Sequence, residues 1–169
     1  LRAAGLDVVF AIDATGSMGW VLDEVKERIA DIAQIVRSLV PIARFGFVAY
    51  RDRDDPEFLT RVQPLTYSTG KLYRFLSTLE AKGGGDWFEA IDAGLKDAVE
   101  HSGWRLGARK IIIVIGDAPM KESQLKTVIR IVERFRRQGG TVSTLDVSDQ
   151  ANPHLLEAKV GRKVSRALY

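Results

Sequence analysis

The chain has 169 residues, 46% of them hydrophobic and 28% charged, with 25 basic and 22 acidic side chains and no cysteine. Length and composition together fit one domain with a full core, and exclude a disordered tail, a low-complexity chain and a disulfide-stapled mini-protein. Without a thiolate, and with only two histidines, zinc-finger and iron–sulfur chemistry are excluded, so a bound metal would be a hard, oxygen-ligated cation. The net charge of +3 is spread along the chain, densest at 130–137 and 159–166. It reads as solvated helix faces, because a nucleic-acid footprint needs a stronger stripe interleaved with aromatics. No run approaches the ~20 apolar residues of a membrane span, and the first residues do not read as a signal peptide. Neither nucleic acid nor membrane insertion is therefore expected. The first residue is Leu1 and not methionine, so the expectation is one monomeric domain, 1–169, excised from a longer protein whose compartment stays open.

Apolar runs alternate with helical stripes. Residues 6–12 (LDVVFAI) form a short β-branched and aromatic run that reads as a strand buried on both faces. From Trp20 to Leu39, the residues Leu22, Val25, Ile29, Ile32, Val36 and Leu39 recur at spacings of three and four, one helix face ended by Pro41. Residues 44–50 (RFGFVAY) predict a second strand. Residues 58–65 alternate between Pro56 and Pro64 and fit a short edge strand. Leu72, Phe75, Leu76 and Leu79 form a second helical stripe, broken by Gly83, Gly84 and Gly85. A third helix is predicted over 87–101. Residues 110–116 (KIIIVIG) are the most hydrophobic strand and are expected at the centre of the sheet. A fourth helix over 122–138, a strand over 141–147 and a last helix over 152–169 complete the chain. The pattern is a doubly wound α/β domain with a mostly parallel sheet and helices on both faces.

In such sheets ligands bind beyond the carboxyl ends of the strands. The first strand delivers Asp13, Ala14, Thr15, Gly16 and Ser17, and the most hydrophobic strand delivers Gly116, Asp117, Ala118 and Pro119. The turn Gly83-Gly84-Gly85-Asp86 can return to the same rim. Asp13, Thr15 and Ser17 alternate, so in an extended turn their oxygens face one point. One carboxylate with two neutral hydroxyls suits Mg²⁺ or Mn²⁺ and leaves the cation seeking a further anionic oxygen from outside. Structural roles compete with this reading. Ser17 could cap the following helix, Thr15 could bond its own turn, and the aspartates could be ordinary turn residues. The convergence of several loops on one edge favours the metal. Asp52 is set aside, because Arg51 and Arg53 beside it suggest a surface ion-pair network. His101 and His154 have no ligand-spaced partner. Trp20 and Trp87 each follow a loop of the site and could flank its rim.

The segments DATGSMG at 13–19, GGGDWFEAI at 83–91 and IIIVIGDAP at 111–119 resemble those of a von Willebrand factor type A domain. The resemblance runs from Leu6 to about Val147 and is nearest to bacterial and hemicentin-like members, through FVAYRDRDD at 47–55 and GDAP at 116–119. It implies a Rossmann-like fold and a metal-ion-dependent adhesion site. Carried over, Asp13, Thr15 and Ser17 supply the first loop of that site and Asp117 the last. Thr15 stands where the family has a serine, which keeps a hydroxyl. The family's threonine from a later loop is missing, and Asp86 is the nearby oxygen-bearing side chain; it either reaches the metal or caps the third helix.

The function these residues imply is a cation-dependent protein-binding module. Mg²⁺ (or Mn²⁺ or Ca²⁺) on Asp13, Thr15, Ser17, Asp86 and Asp117 would capture an aspartate or glutamate of a protein partner, with no catalysis. Two alternatives stand beside it. One is a phosphoryl-transfer enzyme with Asp13 as nucleophile, although Thr15 occupies the position where a second aspartate is needed. The other is a metal-free scaffold within a larger complex.

Overall fold

The computed structural model describes residues 5–84 and 89–147. Nine regular elements follow one another: β1 (Leu6–Asp13), α1 (Gly19–Leu39), β2 (Ala43–Tyr50), β3 (Thr60–Thr66), α2 (Thr69–Ser77), α3 (Ile91–His101), β4 (Arg109–Gly116), α4 (Leu125–Arg137) and β5 (Gly140–Asp146). Single 3₁₀ turns, Gly16–Met18 and Glu122–Gln124, lead into α1 and α4. The strands form one five-stranded sheet in the order β3-β2-β1-β4-β5. All neighbours run parallel except β3, which pairs antiparallel with β2. This is the doubly wound, mostly parallel α/β fold.

Two cores sandwich the sheet because alternate residues of each strand face opposite sides. Val8 and Ile12 join Leu22 and Ile29 of α1 and Leu72 and Leu76 of α2 on one face. Val9 and Ala11 join Leu95 of α3 and Val128, Val132 and Phe135 of α4 on the other. The continuous apolar runs of β1 and β4 reflect this double coverage.

The element order follows the sequence pattern closely, with physical reasons for the differences. The edge strand β3 carries Pro64 at an exposed position, where its missing N–H costs no ladder bond. The middle strand is β1; β4 lies inside the sheet beside it, and Ile111 and Ile113 are only half-buried. The expected apolar face of α1 is rotated. Val21, Leu22, Ile29 and Ala33 are buried, whereas Ile32 and Leu39 stand on the flank, Leu39 80% exposed. The third helix begins at Ile91 within the described residues, because Glu89 and Ala90 are not helical. The predicted helix over 152–169 lies outside the described residues, as does His154. His101 pairs at the surface with Asp97, one helical turn before it. Among the described residues, no helix is long and apolar enough to cross a membrane.

Candidate functional site

β1 ends on Asp13, directly opposite Tyr50 at the end of β2. Asp13 is fully buried, and its Oδ1 accepts from the Thr15 backbone N–H at 2.8 Å and from the Thr15 hydroxyl at 2.7 Å. The 3₁₀ turn that follows buries Met18 and leaves Ser17 exposed. Neither hydroxyl caps a helix, since both the turn and α1 start without a side-chain cap. The competing structural role for Ser17 is thus absent here, while Thr15 does bond within its own turn.

The parallel pairing of β1 with β4 sets Ile12 beside Ile115 and so carries Asp117 to the same edge. A cleft of about 250 Å³ opens there, lined by Thr15, Ser17, Glu89 and Asp117 and by the backbone of Gly83 and Gly84. The two glycines take φ of +83° and +98°, a region that side chains avoid. That turn brings the Gly83 carbonyl onto the Gly16 N–H at 3.3 Å, and the Lys82 N–H donates to the Ala14 carbonyl at 3.2 Å. The glycine turn is thereby stitched to the first loop. Asp86 and Trp87 lie outside the described residues. Trp20, 49% exposed in the first turn of α1, is no core residue.

Three buried carboxylate oxygens in this region, Asp13 Oδ2, Asp117 Oδ1 and Glu89 Oε2, have no hydrogen-bond partner among the described residues. Such atoms are costly unless a hydrogen-bond donor, a proton or a cation meets them. Burial pushes the Asp13 carboxyl up to about 7 against the two Thr15 hydrogen bonds, with Asp117 and Asp52 adding like charge. Burial also pushes the Glu89 carboxyl up to about 9, reinforced by Asp13 and Asp52. Tyr50 lies beneath, 1% exposed, its hydroxyl held well above its ordinary value by burial and then by Asp13, Glu89 and Asp117.

The sequence pattern does not single out Glu89, and it sets Asp52 aside. Glu89 is 3% exposed and its N–H donates to the Pro119 carbonyl at 3.0 Å, tying the segment before α3 to the loop after β4. Asp52 is 8% exposed and interacts with Glu89. The expected surface network around it is not what forms. Arg51 is buried and turns to Asp55 and Glu57, while Arg53 pairs with Asp92. Asp52 lies at the carboxyl end of a strand, as Asp13 and Asp117 do, and that signal could have found it.

The donor set is therefore oxygen only: hydroxyls of Thr15 and Ser17 and carboxylates of Asp13, Asp117 and the neighbouring Glu89 and Asp52. Among the described residues, no three carboxylate or imidazole side chains close on one point in metal-ligating geometry. A cation held here would need the hydroxyls. That chemistry fits a hard divalent ion and no soft one.

Residues 7–163 match the von Willebrand factor A domain. The chain belongs to that family. The Alpha-protein kinase vwkA of Dictyostelium discoideum is 31% identical to this von Willebrand factor A (VWA) domain over 117 residues, 68% of the chain but 18% of the relative. The chain thus spans less than a fifth of that relative's length. Among solved structures, the SpRpn10 VWA domain superposes with a TM-score of 0.66 at 16% identity, covering 88% of this chain and 78% of its own. The pilus adhesin SpaC of Lactobacillus rhamnosus GG superposes with a TM-score of 0.71 at 10% identity, covering 99% of this chain and 27% of its own. At these identities the likeness is one of fold.

Proposed function

We propose that this VWA domain is a divalent-cation-dependent protein-binding module of the bacterial and hemicentin-like type, with a variant metal-ion-dependent adhesion site. Mg²⁺, or Mn²⁺ or Ca²⁺ in its place, would be held by Asp13, Thr15, Ser17 and Asp117, joined by Asp86. The bound cation would supply an electrophilic position for an aspartate or glutamate of a protein partner. The observation that carries this reading is the pair of orphaned carboxylate oxygens, Asp13 Oδ2 and Asp117 Oδ1, beside a cleft lined by two hydroxyls. A hard cation answers both at once: it neutralises crowded like charge and satisfies buried acceptors.

Binding without catalysis is favoured by the state of Asp13. Its side chain has no exposed surface and its Oδ1 already accepts two hydrogen bonds, a poor position for an attacking nucleophile. The relative's length supports a portable module, since this domain accounts for a small share of a protein named for another activity.

The test is calorimetric titration of the EDTA-treated domain with MgCl₂, MnCl₂ and CaCl₂, alongside Asp13→Ala. Saturable heat in the wild type, lost in the folded variant, supports the cation site. No heat with any of the three ions overturns it in favour of a metal-free scaffold. With a partner in hand, binding that survives EDTA would overturn the carboxylate-capture step.

A further inference from the structure

Arg51 follows the last residue of β2 and carries one of the largest fully buried side chains among the described residues, 1% exposed. A guanidinium is rarely taken out of water unless its donors are met, and here they are met from three separate segments. Its Nε donates to the Ala14 carbonyl at 3.2 Å, in the loop that carries Asp13, Thr15 and Ser17. Its Nη2 donates to the Glu80 carbonyl at 2.6 Å, three residues before the Gly83-Gly84 turn. Its Nη1 meets Asp55 at 3.2 Å and Glu57 at 3.0 Å, within the β2–β3 loop. The Phe58 ring lies 4.2 Å from the guanidinium carbon. The backbone N–H of Arg51 donates to the Leu59 carbonyl at 3.0 Å, closing the base of the same loop.

We infer that Arg51 is a positioning residue for the cation site: its planar fork locks the first loop, the β2–β3 loop and the approach to the glycine turn in one register, without touching the cation. This rests on the cation reading given above. Asp55 and Glu57 neutralise the guanidinium on the spot, so its charge is not spent on Asp13, Asp117 or Glu89, and the site keeps its demand for a cation. Asp55 also holds the Glu57 and Phe58 N–H groups at 2.8 and 3.2 Å. A Cβ placed on Gly83 would come within 2.6 Å of its Oδ2, so the clamp and the glycine turn are in close contact. A lysine could not reproduce this, because one ammonium offers a point charge in place of a fork spanning two carbonyls and two carboxylates.

The sign of the effect separates positioning from electrostatics. Removing a positive charge beside the site, and freeing Asp55 and Glu57, raises the local negative potential and by Coulomb's law should tighten cation binding. Loss of position should weaken it, by about 10–100-fold for residues that orient a ligand shell.

The experiment titrates Mg²⁺ into the EDTA-treated 169-residue chain as wild type, Arg51→Lys and Arg51→Met, with Asp7→Asn as a control that destabilises the opposite edge of the sheet. Arg51→Lys retains the charge and keeps the test available if Arg51→Met does not fold. The expected result is affinity at least about tenfold weaker in each folded Arg51 variant and unchanged in Asp7→Asn. Equal or tighter binding in a folded Arg51 variant overturns the inference while leaving the cation site standing. Equal weakening in Asp7→Asn overturns it too, since general instability would then suffice. A wild type that binds no Mg²⁺ fails at the earlier step and overturns both.

Discussion

Thr15 gives Asp13 two hydrogen bonds, and both land on the same oxygen, Oδ1, at 2.8 Å from the amide and 2.7 Å from the hydroxyl. The carboxylate is thereby fixed in rotation, with Oδ2 left as the orphan. The threonine hydroxyl has spent its proton on Asp13, which leaves its oxygen to accept or to ligate, with Glu89 already within its hydrogen-bond reach.

Thr15→Ser should therefore preserve cation affinity, while Thr15→Val, nearly the same in shape, should weaken it about tenfold or more. Thr15→Val should also lose about 1–2 kcal/mol of stability, through the acceptor on Asp13 left short of a partner. Calorimetry and urea denaturation measure the two effects. A valine variant that binds magnesium as tightly as wild type would remove Thr15 from the site.

Asp13→Asn should separate function from stability. The amide retains an oxygen for the Thr15 bonds and removes a charge that Asp117 and Asp52 repel. The metal-free variant should be at least as stable as metal-free wild type, yet its melting temperature should not rise with added MgCl₂, whereas wild type should gain stability as the ion saturates it. A variant that loses more than about 1 kcal/mol without metal would show that the carboxylate is held by protein contacts instead.

At the other end of β1, Asp7 is fully buried between Arg44 and Arg105, with contacts of 2.8 Å from Arg44 Nη2 and 2.6 Å from Arg105 Nη2. Burial pushes its carboxyl up, but the hydrogen bonds from Arg44 and Arg105 outweigh that and hold it below its ordinary value of 3.8. A depressed folded-state value means that the stability it contributes is present above pH 4 and is lost as pH falls below that. Wild type should weaken steeply in that acidic window. Asp7→Asn should be about 3 kcal/mol less stable at neutral pH, because two arginines lose their counter-charge, and flatter towards acid. Urea midpoints at neutral and acidic pH decide this, and parallel pH curves for the two proteins would refute it.

Gly94 lets α3 lie against Tyr50. A Cβ there would sit 2.5 Å from the Tyr50 ring, and Tyr50 is enclosed beneath the site. In an open helix, Gly→Ala gains up to about 1 kcal/mol. Here overpacking, at about 1–3 kcal/mol, should win, so Gly94→Ala should be destabilising by denaturation. A stabilised variant would mean that the ring has room to move.

The legible parts of this protein were those where local chemistry decides. LDVVFAI and KIIIVIG read as strands because parallel strands buried on both faces need unbroken apolar side chains. That Asp13 and Asp117 share an edge is legible because strand ends in this architecture point to one rim. What escaped depended on neighbours distant in sequence. Ile32 and Leu39 keep the same three-and-four spacing as Ile29, and only the placing of the sheet leaves them exposed. Glu89 reaches the site through a long return from α2 that periodicity does not describe. Arg51 looked like surface charge beside Asp52, yet the chain turns the two side chains apart and buries both.

The pairing of β1 with β4 has a consequence for when the protein can act. Asp13 and Asp117 are about a hundred residues apart along the chain, and closing so long a loop comes at an entropic cost that only the assembled sheet offsets. On the cation reading proposed above, a nascent chain, or one with β4 detached, would hold half a site and have no geometry with which to select an ion. Partner capture would then be confined to copies whose sheet is complete, and the cation would act as a proofreader of folding as well as a ligand.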